Sequence, residues 1–258
     1  MRPSVSHYSK TLPALALLLF SSACIVTPAA FIIQDTATPS LTPTATQVWF
    51  PPTFTPSPLP QPNFTPTPDL RPDIGEVLLE DNFTDADPWT TSSGTQATIN
   101  IDDGEIHLSL NDDHEVLLAM RNAPVLDNFY AEITASPSLC RGEDEYGFVL
   151  RAGDHGLYRF ALTCDGRAKV DRLLGKSSLT RQAGWLVNPV VPSVIPASVR
   201  LAVWAHGSQV HFFVNDVYLF SVNDTVLWKG TVGVFVHTSG DDDVSVNFSD
   251  LKVWALTQ

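Results

Sequence analysis

From residue 76 to the C-terminus, apolar and polar residues alternate in short runs, or four to eight apolar residues follow one another, and each run stops at a cluster of turn-forming residues. No stretch repeats apolar residues at helical spacing for long enough to predict a helix. The pattern predicts about thirteen strands, over 77–83, 96–101, 105–110, 115–121, 128–135, 146–152, 157–164, 168–174, 198–206, 209–214, 217–222, 230–237 and 244–255. Between them stand Asp103-Gly104, Asn111-Asp112, Asp165-Gly166, His206-Gly207 and Asn215-Asp216, residues that accept the positive φ of tight hairpin turns. So many strands on tight connections predict two antiparallel sheets packed face to face, because one open sheet of that width would leave a side unburied. The predicted fold class is all-β, an antiparallel two-sheet β-sandwich over 76–258.

The earlier residues follow another pattern. Between 35 and 75 there are eleven Pro and nine Thr with no apolar periodicity. Proline fixes φ and removes a backbone donor, so residues 25–75 read as a disordered linker, a semi-rigid stalk of polyproline II character. Residues 1–24 hold Arg2 and Lys10, an apolar run over 12–20, and then Ser21, Ser22, Ala23 and Cys24. That layout is a signal peptide, and small residues directly before a cysteine resemble the processing site of bacterial lipoproteins, which implies lipidation of Cys24 and a membrane anchor. The alternative is an uncleaved helix, since residues 12–33 carry no charged side chain. Either version predicts an extracytoplasmic, cell-surface, membrane-anchored protein.

Charge narrows the partners. The chain has 15 Lys and Arg against 28 Asp and Glu, and because residues 1–75 hold three of each sign, the whole net charge of −13 falls on 76–258. Nucleic-acid affinity comes largely from Lys and Arg displacing counterions, so the chain is predicted not to bind nucleic acid. Setting Cys24 aside leaves Cys140 and Cys164, an even pair in an exported chain, and the sequence predicts a disulfide between them. The hairpin of 146–152 and 157–164 places residue 145 opposite Cys164, a few residues from Cys140.

Several runs together carry a resemblance. They are Asp81-Asn82-Phe83 with Trp89, Asp103-Gly104-Glu105-Ile106, Tyr146-Gly147-Phe148-Val149-Leu150-Arg151, Tyr158-Arg159-Phe160, Asp165-Gly166, Phe212-Phe213-Val214-Asn215, and Phe248-Ser249-Asp250-Leu251. This chain resembles the concanavalin A-like lectin/glucanase superfamily, in particular its 3-keto-disaccharide hydrolase-like branch. The resemblance implies a jelly-roll sandwich whose concave sheet holds a glycan, as a binding module or as a glycoside hydrolase. A structural or protein-binding surface module is a third reading.

The residues favour binding. Retaining glucanases of this superfamily carry carboxylates at alternating positions on one strand, and no strand here has that pattern. No catalytic residue is assigned; Glu132, Asp154 and Asp165 are default nominees for a hydrolase. Glu143, Asp144 and Glu145 are consecutive and read as a solvated acidic loop. Sugar recognition needs flat aromatic rings and planar polar groups. Pairing across the predicted hairpin sets Arg151 opposite Tyr158 at the rim of a core face, and Leu150 opposite Arg159. Tyr146, Phe148, Leu150, Arg159 and Thr163 then share the other face, the candidate groove floor. Trp185, in a loop after Leu179, is placed to close over a ligand. Trp89, Trp204 and Trp254 are assigned to the core. The candidate ligand-binding residues are therefore Tyr146, Phe148, Arg151, Tyr158, Arg159 and Trp185, with a glycan or cell-wall polysaccharide as partner. No cofactor is required, but Asp241, Asp242 and Asp243 offer hard oxygen ligands for a structural Ca²⁺.

Overall fold

The computed structural model describes residues 74–175, 178–240 and 243–257, so Cys24 and the predicted leader and stalk lie outside the described residues. In chain order the strands are β1 (Ile74–Asp81), β2 (Ser92–Ser93), β3 (Ala97–Asp102), β4 (Glu105–Leu110), β5 (Val116–Met120), β6 (Phe129–Leu139), β7 (Glu145–Gly153) and β8 (Gly156–Thr163). They continue with β9 (Arg167–Leu174), β10 (Ser178–Val187), β11 (Val199–His206), β12 (Gln209–Val214), β13 (Val217–Asn223), β14 (Thr231–His237) and β15 (Val244–Leu256). There is no helix among the described residues.

The strands form two antiparallel sheets. One has nine strands in the order β13-β12-β11-β6-β15-β4-β3-β2, with β1 also paired to β15. β15 is long enough to take two partners in succession on one edge, β4 over 244–248 and β1 over 251–256, while β6 lines its other edge. The other sheet has six strands in the order β10-β9-β8-β7-β14-β5.

Period-two patterning decides which side chains meet between the sheets. Phe129, Ala131, Ile133 and Ala135 of β6 point inward, as do Leu201 and Val203 of β11 and Val246, Phe248 and Val253 of β15. Facing them are Tyr146, Phe148 and Leu150 of β7, Tyr158, Phe160 and Leu162 of β8, and Val232, Val234 and Val236 of β14. Trp89 belongs to this core and donates from Nε1 to Asp81 at 3.0 Å. Trp204 and Trp254 do not, against the sequence expectation. They lie half-buried on the outer face of the nine-stranded sheet, where Tyr130, Ala202 and Phe213 form a separate apolar cluster with Trp204, Tyr218, Trp254 and Leu256 packed on it.

Two strands escape the apolar pattern. β2 is two residues long. β10 is an edge strand whose pairing with β9 is broken by two register shifts, so its sequence shows no alternation. Trp185 therefore sits in a strand and not in a loop. Cys140 and Cys164 are disulfide-bonded with Cα atoms 5.7 Å apart, as expected. The 24-residue separation is worth roughly 3 to 4 kcal/mol in the loop-entropy account. The acidic run beside Cys140 is a solvated loop only at Glu143, which is exposed. Asp144 is buried and accepts hydrogen bonds from Arg141 N at 3.0 Å, Ser239 N at 2.9 Å and Ser239 Oγ at 3.0 Å, and Glu145 is buried at the start of β7.

Candidate functional site

The β7–β8 hairpin decides which residues can meet a ligand, and its register differs from the expected one. Leu150 pairs with Tyr158, Val149 with Arg159 and Phe148 with Phe160, while Gly153 and Gly156 at the tip keep the anticipated spacing. The step between the two registers is a β-bulge at Arg151, whose φ is +51°. One extra residue reverses the relation between the faces of the two strands. Tyr146, Phe148 and Leu150 therefore turn inward together with Tyr158, Phe160 and Leu162. Tyr146 and Phe148 are fully buried core residues, which removes them from the groove floor. Tyr158 is also buried, and its hydroxyl accepts a hydrogen bond from Leu227 N at 3.4 Å. Burial pushes its phenol up to about 12, aided by the Asp224 charge.

Arg159 goes the other way, onto the outer face of the six-stranded sheet. That face can be read as three rows crossing the strands. The upper row is His237, Glu145 and Thr163; the middle row is Phe235, Gly147, Ala161 and Lys169; the lower row is Gly233, Val149, Arg159, Asp171 and Arg181. Small residues occupy the centre and long polar ones the margins. Because Gly147 has no side chain, the Arg159 guanidinium reaches across β7 to lie 5.2 Å from the centroid of the Phe235 ring.

The polar groups form one connected network. Lys169 Nζ stands 2.6 Å from Glu145 Oε1 and 2.9 Å from Asp171 Oδ2, so a single ammonium serves two carboxylates. Asp171 also meets Arg181 Nε at 3.4 Å and Arg159 Nη2 at 4.0 Å, and His237 Nδ1 lies 3.7 Å from Glu145. Burial by itself would raise the Glu145 carboxyl, but the His237 imidazole nearby and the Lys169 ammonium in direct contact outweigh it and hold the group below its ordinary value. Trp185 joins from the edge strand, its ring within 4.6 Å of the Arg167 guanidinium, 4.5 Å of the Lys169 ammonium and 5.1 Å of Arg181.

This network leaves hydrogen-bonding capacity unspent. Arg159 is 7% exposed, yet its nearest carboxylate is at the 4.0 Å limit, and its Nε, like Glu145 Oε2, has no partner among the described residues. Buried polar groups are almost always paired, so a planar donor and a carboxylate oxygen left without partners can each take up a further hydrogen bond.

The other candidates scatter. Arg151 is buried at the end of the hairpin, away from the groove expected for it, and donates to the carbonyls of Leu227 and Asp127. Glu132 accepts a hydrogen bond from Tyr130 on the opposite sheet, Asp154 lies exposed in the β7–β8 turn, and Asp165 is tied to Arg167 at the other end of β8. The three nominated acids are not brought together. Asp241 and Asp242 lie outside the described residues, and Asp243 is exposed. Among the described residues no three His, Cys, Asp or Glu side chains are grouped as metal ligands.

Sequence reasoning missed Lys169, Asp171, Phe235 and His237. A signal for the first two was present: Arg167, Lys169 and Asp171 alternate with Ala168 and Val170, the mark of a strand with one polar face.

The two-sheet sandwich is similar in fold to a galectin-like protein and to a carbohydrate-binding module. A Bacillus subtilis protein of unknown function with a galectin-like fold matches at a TM-score of 0.57 and 14% identity, over 73% of this chain and all of that one. A carbohydrate-binding module from Bacillus subtilis matches at 0.51 and 15%, over 65% of this chain and 96% of that one. An endo-β-galactosidase from Clostridium perfringens that releases GlcNAcα1-4Gal matches at 0.53 and 12%, over 74% of this chain and 65% of that one. At these identities the likeness is one of fold. No protein-family model and no curated relative matches the chain.

Proposed function

We propose that the protein is an extracytoplasmic, membrane-anchored module that binds glycans on the outer face of its six-stranded sheet. The observation that carries this reading is the buried, under-bonded Arg159 beside a Lys169-linked pair of carboxylates, with the Trp185 and Phe235 rings in the same patch. Vicinal hydroxyls both donate and accept, so they match fixed guanidinium and carboxylate groups. The C–H face of a pyranose matches an indole. Ion pairing among the side chains holds them in place before the ligand arrives, which lowers the entropy lost on binding. The neighbouring folds that bind or cleave glycans support the same ligand class. In this reading Cys24 carries the lipid and residues 25–75 form the stalk.

Hydrolysis, as in the 3-keto-disaccharide hydrolase-like branch, would need one carboxyl to keep its proton. Glu145 is held ionised by Lys169 and His237, which supports binding over cleavage. A glycan array on the full-length protein, run with a reducing-sugar release assay, tests both. Arg159→Met and Trp185→Ala are each expected to weaken the best glycan by about tenfold or more, with no sugar released. Unchanged binding in both variants would remove the site, and sugar release abolished by Glu145→Gln would replace binding with hydrolysis. Mass spectrometry of the N-terminal fragment tests the anchor.

A further inference from the structure

At one end of the sandwich the β7–β8 turn and residues 226–230 enclose a cleft of about 360 Å³, the size of one or two sugar rings. Its rim is apolar and open, with Val125, Val226 and Trp228 exposed to 63%, 48% and 56%. Arg151 forms part of its wall at 1% exposure. Its Nη1 donates to Leu227 O at 3.0 Å and its Nη2 to Asp127 O at 3.1 Å, while Nε has no partner. Both acceptors are neutral carbonyls. Asp127 and Asp224 act on the guanidinium through charge at longer range, and Asp224 is already ion-paired to Arg172.

A buried cation bonded only to neutral dipoles, with carboxylates acting on it from a distance, is only partly compensated for the water it has lost. That is unexpected in a chain with a net charge of −13, where carboxylates outnumber cations almost two to one. The backbone is strained at the same residue, since Arg151 takes φ +51° in the bulge, and bulges re-aim side chains. The rest of the cleft continues the local reversal of sign. Lys229 stands at the lip with Nζ 4.6 Å from the centroid of the Trp228 ring, His155 lines the wall, and Asp154 is the one acid among the lining residues.

We propose that this cleft binds the carboxylated terminal pyranose of an acidic glycan, a hexuronate, with its ring against Trp228 and its carboxylate drawn to Lys229 and the field of Arg151. The site is separate from the sheet face and stands or falls independently of it. Calorimetric titration of the full-length protein with glucuronate and digalacturonate, against glucose, acetate and inorganic phosphate, tests it. The acidic sugars should bind at least about tenfold more tightly than glucose or either bare anion and should weaken as NaCl is raised. Trp228→Ala and Lys229→Gln, both at exposed positions, should each lose about tenfold in affinity with the melting temperature unchanged, and Trp204→Ala, on the nine-stranded sheet, should lose no affinity. Absence of uronate binding overturns the proposal, as does binding equal to that of glucose, acetate or phosphate, or loss in Trp204→Ala but not in Trp228→Ala.

Discussion

The two outward faces of the sandwich solve the same problem in opposite ways. On the nine-stranded sheet, aromatic rings cover one another. Tyr130 lies 5.7 Å from Trp254 and 6.4 Å from Phe213, Phe213 lies 5.8 Å from Tyr218, and Trp204 packs between His206 and His211. Each contact there removes apolar surface from water and stabilises the sheet directly. On the six-stranded sheet, Glu145, Arg159, Lys169 and Asp171 are more buried than the half-buried Trp204, Tyr218 and Trp254, but what they bury is charge. Desolvating ions costs about as much as their pairing returns, so apolar side chains of similar size would serve stability at least as well. Burying ions where apolar side chains would serve is what supports the proposal of this face for binding.

The largest test of this contrast is Lys169→Met. Removing the shared ammonium strands Glu145 and Asp171 as buried carboxylates, and one broken buried pair costs about 3 to 5 kcal/mol. A fall in melting temperature on the order of 10 °C is expected in calorimetry. Replacing the buried ions together, with Glu145→Leu, Asp171→Leu and Arg159→Met added to Lys169→Met, should restore much of that loss while glycan binding disappears. If the quadruple variant stays as unstable as the single one, the ions are structural and the contrast between the faces fails.

How far the sequence reveals these faces depends on what sets them. Inward positions of β6, β11 and β15 are legible because period-two burial writes itself directly into apolar spacing. The hairpin is not, because one bulge at Arg151 exchanges its faces, and nothing in Leu150-Arg151-Ala152 marks the extra residue. Without the bulge the register puts Tyr146 and Phe148 in the groove, although their aromatic, apolar character agrees with the core they occupy. The chemistry of Arg159 and Trp185 singles them out in the sequence, but the groups that surround them in the proposed site come from β9 and β14, across a sheet order that local patterns do not encode.

A smaller effect comes from the aromatic face. Trp204 is half-buried, so Trp204→Ala should cost about 1 to 2 kcal/mol in urea denaturation, less than the roughly 3 to 5 kcal/mol of a fully buried tryptophan. Binding of the best glycan should stay within about twofold of the parent. A larger loss of binding would move the glycan site to the nine-stranded sheet and reverse the assignment of roles.

The smallest expected effect separates the faces by pH. His211, on the aromatic side, is pushed below its ordinary 6.5 by burial, so the folded state resists its protonation. A depressed folded pKa means that the unfolded chain takes up the proton first. The stability linked to His211 is therefore complete above pH 6.5 and declines as the pH falls from there through its folded value. Glu145, on the ionic side, is held below its ordinary 4.5 by His237 and Lys169 against the opposing effect of burial, so its contribution is complete above pH 4.5 and is lost at lower pH. Stability measured by urea denaturation from pH 8 to pH 3 should decline in two separate windows. His211→Phe should flatten the upper one and leave the lower, and Glu145→Gln should shrink the lower, to which Asp165 beside Arg167 also contributes, and leave the upper. One shared window, altered alike by both substitutions, would mean that the two faces titrate as a single unit and that their division into a structural and a binding side is wrong.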